Sequence, residues 1–78
     1  MIKSKNRERF ERVASSRVQR VIDTLSLLSN CSNRNNYEYT SGDVELMFNA
    51  INKALRDARA TFNNELDKGE RRGFSFKK

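Results

Sequence analysis

Four arginines near the start of the chain, Arg9, Arg12, Arg17 and Arg20, are the side chains whose types and spacing best suit a chemical task. A guanidinium stays charged and presents five N–H donors in a planar fork. That fork matches phosphate or carboxylate oxygens two at a time. The chemistry indicated is binding, not bond-making. Histidine is absent, which removes the commonest general base and a frequent metal ligand. There is no phosphate-binding glycine loop and no carboxylate pair marked out for acid–base work. The single cysteine, Cys31, has no base nearby in sequence and no second cysteine to pair with. The chain is therefore expected not to be an enzyme, with no catalytic residue, no metal site, no cofactor and no small-molecule substrate.

The arginines belong to an uneven charge distribution. The 78 residues hold 16 Lys+Arg against 10 Asp+Glu, a net charge of +6. Residues 1–20 carry seven basic and two acidic side chains, and residues 69–78 carry four and one, including Arg71 and Arg72. The stretch between holds five basic and seven acidic side chains. In an antiparallel pair of helices, the start of the first lies beside the end of the second. The two basic segments then form one pole, suited to DNA, RNA or another polyanion. Solubility alone is the plainer reading of the same excess.

The positioning elements follow from the apolar spacing. Over residues 5–29, Ala14, Val18, Val21, Leu25 and Leu28 step by 4, 3, 4 and 3, the seam of an amphipathic helix. Phe10, Val13 and Ile22 edge this stripe. Arg9, Arg12 and Arg20 fall outside it, and Arg17 flanks it with its stem available for packing. Ser4 is positioned to cap the start. Residues 30–39 read as a loop. Asn30 suits a left-handed helix stop, and the following Ser and Asn residues favour turns. A second helix is expected over residues 41–68. Thr40 and Asp43 form a capping box, with Tyr39 and Val44 as the flanking hydrophobic staple. Its seam is Val44, Phe48, Ile51, Leu55, Ala58 and Phe62, continued by Leu66. Gly69 reads as its end. Met47, Ala50, Ala54 and Ala58 add a stripe of mostly small residues, explained either by helix propensity or by close approach of another helix.

Residues 69–78 read as a basic-aromatic tail. Within it, Arg72-Gly73-Phe74-Ser75-Phe76 resembles part of the aromatic signature of RRM domains. That signature works on a four-stranded sheet, and this chain has no strands to build one. The tail then either offers rings for base stacking or folds back on the helices.

At the loop, Arg34, Asn35, Asn36 and Tyr37 form a polar-aromatic tip of the kind used to bind proteins. Tyr39 is accounted for by the staple, whereas local structure does not dictate Arg34 or Tyr37. The run from Asn30 to Thr40, followed by Asp43-Val44 and the Phe48, Ile51, Leu55 helix, resembles a group of small uncharacterised proteins from Gram-positive bacteria and their mobile elements. The likeness covers roughly residues 8–62. It implies a bacterial context, a phage, plasmid or conjugative element, and assigns no residue a role.

The expected fold is all-α: a long antiparallel two-helix hairpin that dimerises into a four-helix bundle. The expected function is nucleic-acid binding or regulation by a non-enzymatic accessory protein, through Arg9, Arg12, Arg17, Arg20, Arg71 and Arg72. The alternative is a protein-interaction module, an adaptor or inhibitor, acting through the loop tip. One cysteine and no secretory leader predict the cytoplasm. No apolar run approaches the roughly 20 residues needed to span a bilayer.

Overall fold

The computed structural model describes the backbone of residues 4–72 and the side chains of residues 4–69. Every regular element among them is helical, as the apolar periodicity predicts. Helix α1 is Lys5–Ser29, a 3-10 turn covers Asn30–Ser32, and helix α2 is Ser41–Arg72. The chain divides into two units, Met1–Glu38 with α1 and Tyr39–Lys78 with α2.

Helix α1 begins where the sequence places it. Ser4 is extended (φ −68°, ψ 160°), and its Oγ accepts the Arg7 backbone N–H at 3.0 Å. Its carbonyl accepts the Glu8 N–H, and Glu8 puts negative charge at the positive end of the helix dipole. Along the body, Arg7 Nε donates to Glu11 Oε2 at 2.9 Å, and Gln19 Nε2 donates to Asp23 Oδ1 at 2.9 Å. The Thr24 and Ser29 hydroxyls donate back to the carbonyls of Arg20 and Leu25, so both are satisfied within the helix. Val13, Ala14 and Leu28 are half-buried; Val18, Val21, Ile22 and Leu25 are exposed.

The end of α1 differs from expectation. Asn30 does not turn left-handed; it stays right-handed at φ −66°, ψ −20°. No described residue has a positive φ. The helix instead tightens, and the Asn30 N–H is shared between the carbonyls of Leu27 and Leu28. A 3-10 turn satisfies the last carbonyls this way without reversing the backbone. The change of direction comes three residues later, at Asn33. Its Oδ1 accepts the Asn35 N–H at 2.9 Å, and its carbonyl accepts the N–H groups of Asn36 and Tyr37 at 3.1 and 3.0 Å. This is an Asx turn, the side chain standing in for a backbone acceptor.

Helix α2 opens on a complete capping box. Asp43 N–H donates to Thr40 Oγ1 at 3.1 Å, and Thr40 N–H donates to Asp43 Oδ2 at 2.9 Å. Tyr39 and Val44, the staple positions, are both half-buried, unlike most of their neighbours. Each half of the box satisfies a donor that would otherwise lack a partner. Thr40→Ala should therefore destabilise the folded protein by about 1 kcal/mol. Thr40→Ser should recover most of that in urea titrations followed by circular dichroism. Equal stability of all three proteins would show that the box contributes nothing.

The far end of α2 also departs from expectation. The helix does not stop at Gly69 but continues to Arg72. A glycine ends a helix when it turns left-handed, and Gly69 does not. A Cβ at that position would meet nothing within 4 Å. Lys68 on one side and Glu70, Arg71 and Arg72 on the other are good helix formers. Together they outweigh the cost of a helical glycine, about 1 kcal/mol. The expected tail over residues 69–78 is thus helical through Arg72, and its remainder, with Phe74 and Phe76, lies outside the described residues.

No described residue is buried. Along α2, Phe48 is 43% exposed, Leu55 60%, Phe62 59% and Leu66 65%. Exposure on this scale leaves the whole apolar seam available for packing. No helix among the described residues is long and apolar enough to cross a membrane.

Candidate nucleic-acid interface

Four of the five arginines of α1 differ from Arg7, Lys53 and Lys68 in forming no ion pair among the described residues. Arg7 pairs with Glu11 at 2.9 Å, and its guanidinium lies 5.7 Å from the Phe10 ring centroid. Lys53 pairs with Asp57 at 2.8 Å, and Lys68 with Glu65 at 3.2 Å. All three are helical pairs at spacings of three or four, where side chains meet. Arg9, Arg12, Arg17 and Arg20 form no ion pair among the described residues, and all four are exposed. Their spacing accounts for most of this. Arg9 and Arg17 have no carboxylate three or four residues away. Arg12 has Glu8 and Arg20 has Asp23 at such distances, but no pair forms, and Asp23 accepts instead from Gln19.

On a helix of 3.6 residues per turn, Arg9 and Arg20 share one outward direction, with Arg12 a quarter turn or less away. Arg17 stands toward the apolar edge. From Arg9 to Arg20 the rise is about 16 Å, the axial span of about five phosphates of one strand in a duplex. The result is a row of exposed guanidinium groups along one helix, over a span comparable to that of several backbone phosphates. Such a row reads charge and spacing and has no means of telling one base from another.

The other sequence-predicted residues are placed differently. Arg71 and Arg72 form the last turn of α2, in the second unit, and their side chains lie outside the described residues. Arg34, Asn35 and Asn36 make up the turn that Asn33 organises, and Tyr37 follows it, 52% exposed. Asn33 is the residue that fixes this tip, and the sequence reading passed over it among four similar asparagines. No spacing signal separates it, since Asn30, Asn35 and Asn36 also have a backbone N–H two residues on; the bond from the Asn35 N–H to Asn33 Oδ1 is what distinguishes it. Arg56 and Arg59 on α2 were also passed over. Both are exposed and form no ion pair among the described residues, since no carboxylate lies three or four residues from Arg59.

Among the described residues, no group of three or more His, Cys, Asp or Glu is placed to hold a metal ion. Cys31 is exposed. No protein-family model, no curated protein and no solved structure matches the chain.

Proposed function

We propose that the protein is a non-enzymatic nucleic-acid-binding accessory factor, of the kind encoded by bacterial mobile elements. It contacts DNA or RNA phosphates through Arg9, Arg12, Arg17 and Arg20, assisted by Arg71 and Arg72. In this reading α1 and α2 close into an antiparallel hairpin, and two hairpins form a four-helix bundle. The hairpin brings both basic ends to one pole. The observation that supports it most is the row of four exposed guanidinium groups within one segment of α1 that form no ion pair among the described residues. Leaving charges unpaired beside their own helix keeps them available to an external anion.

Salt titration tests this directly. Each phosphate neutralised releases counterions, so log K should fall linearly with log salt at about 0.9 per contact on duplex DNA. Four contacts per chain give a slope near −3.6. Affinity should then drop on the order of 100-fold between 50 and 200 mM salt. Fluorescence anisotropy with labelled duplexes and single strands of several sequences measures it. Absent binding, or binding indifferent to salt, would sink the reading.

The second reading is a protein-interaction module acting through the loop tip. What favours it is that Asn33 holds an ordered turn which leaves Tyr37 exposed. An exposed aromatic on a rigid turn is a typical anchor at protein interfaces. Under that reading Tyr37→Ala removes the activity and the α1 arginines are dispensable.

A further inference from the structure

The charges flanking the seam of α2 are arranged in a way that α2 by itself does not use. Val44, Phe48, Ile51, Leu55, Ala58 and Phe62 form the seam. On one flank, each immediately following a seam residue, stand Glu45, Asn52 and Arg59. Glu45 and Arg59 each lie seven residues, two turns, from Asn52. They are thus about 21 Å apart along the helix and cannot meet within one chain. Neither forms an ion pair among the described residues. A flank with a negative charge and a positive charge equidistant from its middle is complementary to itself when reversed.

We propose that α2 pairs with α2 of a second copy, antiparallel, in one register centred on Asn52. Two observations set the register independently, to within one residue of each other. The first is charge: Glu45 lies beside Arg59 of the second copy, twice by the two-fold symmetry, and Asn52 meets its own copy on the axis. The second is side-chain size. Layers that set Phe48 opposite Ala58, Val44 opposite Phe62 and Ile51 opposite Leu55 are centred one residue further on, at Lys53, which staggers Glu45 and Arg59 of the second copy by about 3 Å along the axes, within side-chain reach. In two of these layers a phenylalanine faces a smaller residue and in the third two side chains of equal size meet, which fills the layers evenly. A parallel pair would stack Phe48 on Phe48 and Ala58 on Ala58, crowding one layer and leaving a gap in the other. The opposite flank, with Met47, Ala50 and Ala54, is left for α1 of the same chain. This explains why a seam with such exposed phenylalanines carries a patterned rim: the rim selects the partner and its direction. The inference rests on the homodimer reading given above and is independent of nucleic-acid binding.

Charge exchange in the full-length protein tests it, with association followed by sedimentation equilibrium and helix content by circular dichroism. Glu45→Arg alone and Arg59→Glu alone each replace two attractive contacts per dimer with two repulsive ones. Each should weaken dimerisation about tenfold or more. Glu45→Arg and Arg59→Glu in the same chain should restore the dimer to within about threefold of the original, since repulsion removed in pairs is regained as attraction. Mixing the two single variants should also yield a dimer, which holds even where each alone is unfolded. A monomeric wild-type protein overturns the proposal. So do single variants that dimerise normally, or a double variant no better than the weaker single. If dimerisation fails while salt-dependent binding persists, the register is wrong and the nucleic-acid reading stands.

Discussion

Replacing Arg9, Arg12 and Arg20 together by Glu should abolish nucleic-acid binding and leave the helices formed. Three attractive contacts become three repulsive ones against a backbone that carries a charge every 1.7 Å of duplex. The expected loss is more than about 1000-fold at low salt, and any residual binding should show a salt slope near −0.9 in place of −3.6. Arg and Glu have similar helix propensity, and the positions are exposed, so far-ultraviolet circular dichroism should change little. The control is a charge change at paired cations. Lys53→Glu with Lys68→Glu alters the net charge by four units, yet both lysines already face a carboxylate. That variant should lose less than about threefold in affinity if the contact is local to α1. Equal losses in both variants would mean that net charge, and not the α1 row, attracts the polyanion. Unchanged binding in the triple variant would reject the interface outright.

The comparison of sequence and structure separates local from distributed information. Ser4 and the Thr40–Asp43 box were legible because each cap is a bond between residues three apart, and chemistry at that range depends on nothing else. The helical class was legible because the apolar steps of three and four repeat over long segments. The two ends misread, Asn30 and Gly69, share a cause. Both residues tolerate the left-handed conformation but do not require it. Whether a helix ends there depends on what competes for its last carbonyls, and at Asn30 a 3-10 turn did so. At Gly69 the following Glu-Arg-Arg continued the helix. The candidate site was half legible. The positions of Arg9, Arg12 and Arg20 off the seam follow from the periodicity alone. That they form no ion pair among the described residues does not, because Glu8 and Asp23 stand at spacings where a pair could form. Only side-chain placement separates Arg7, which is neutralised, from Arg12, which is not.

Leu55→Ala should produce a large loss of stability, and the reason lies outside the chain's own packing. At 60% exposure, a leucine on a lone helix contributes little, and its loss should fall within about 0.5 kcal/mol, with Ala even slightly favoured as a helix former. Under a covering helix the same truncation removes buried methyl groups and leaves a cavity, which costs about 2–5 kcal/mol. The larger value is expected. Helices held together by no buried residue are marginal in water, because most helical stability in proteins comes from covering an apolar face. The seam from Val44 to Phe62 offers that face continuously. Leu46 supplies the comparison: it is 71% exposed and lies on the opposite side of α2 from the seam. Leu46→Ala should leave stability within about 0.5 kcal/mol of the original. Urea titrations at several protein concentrations distinguish the two sources of cover. A midpoint that rises with concentration in the original protein and falls several-fold in sensitivity with Leu55→Ala assigns the cover to a second copy. A concentration-independent midpoint with the same large loss assigns it to α1 of the same chain. Equal, small effects of Leu55→Ala and Leu46→Ala would mean that the seam is not covered at all, which would remove the hairpin and the dimer together.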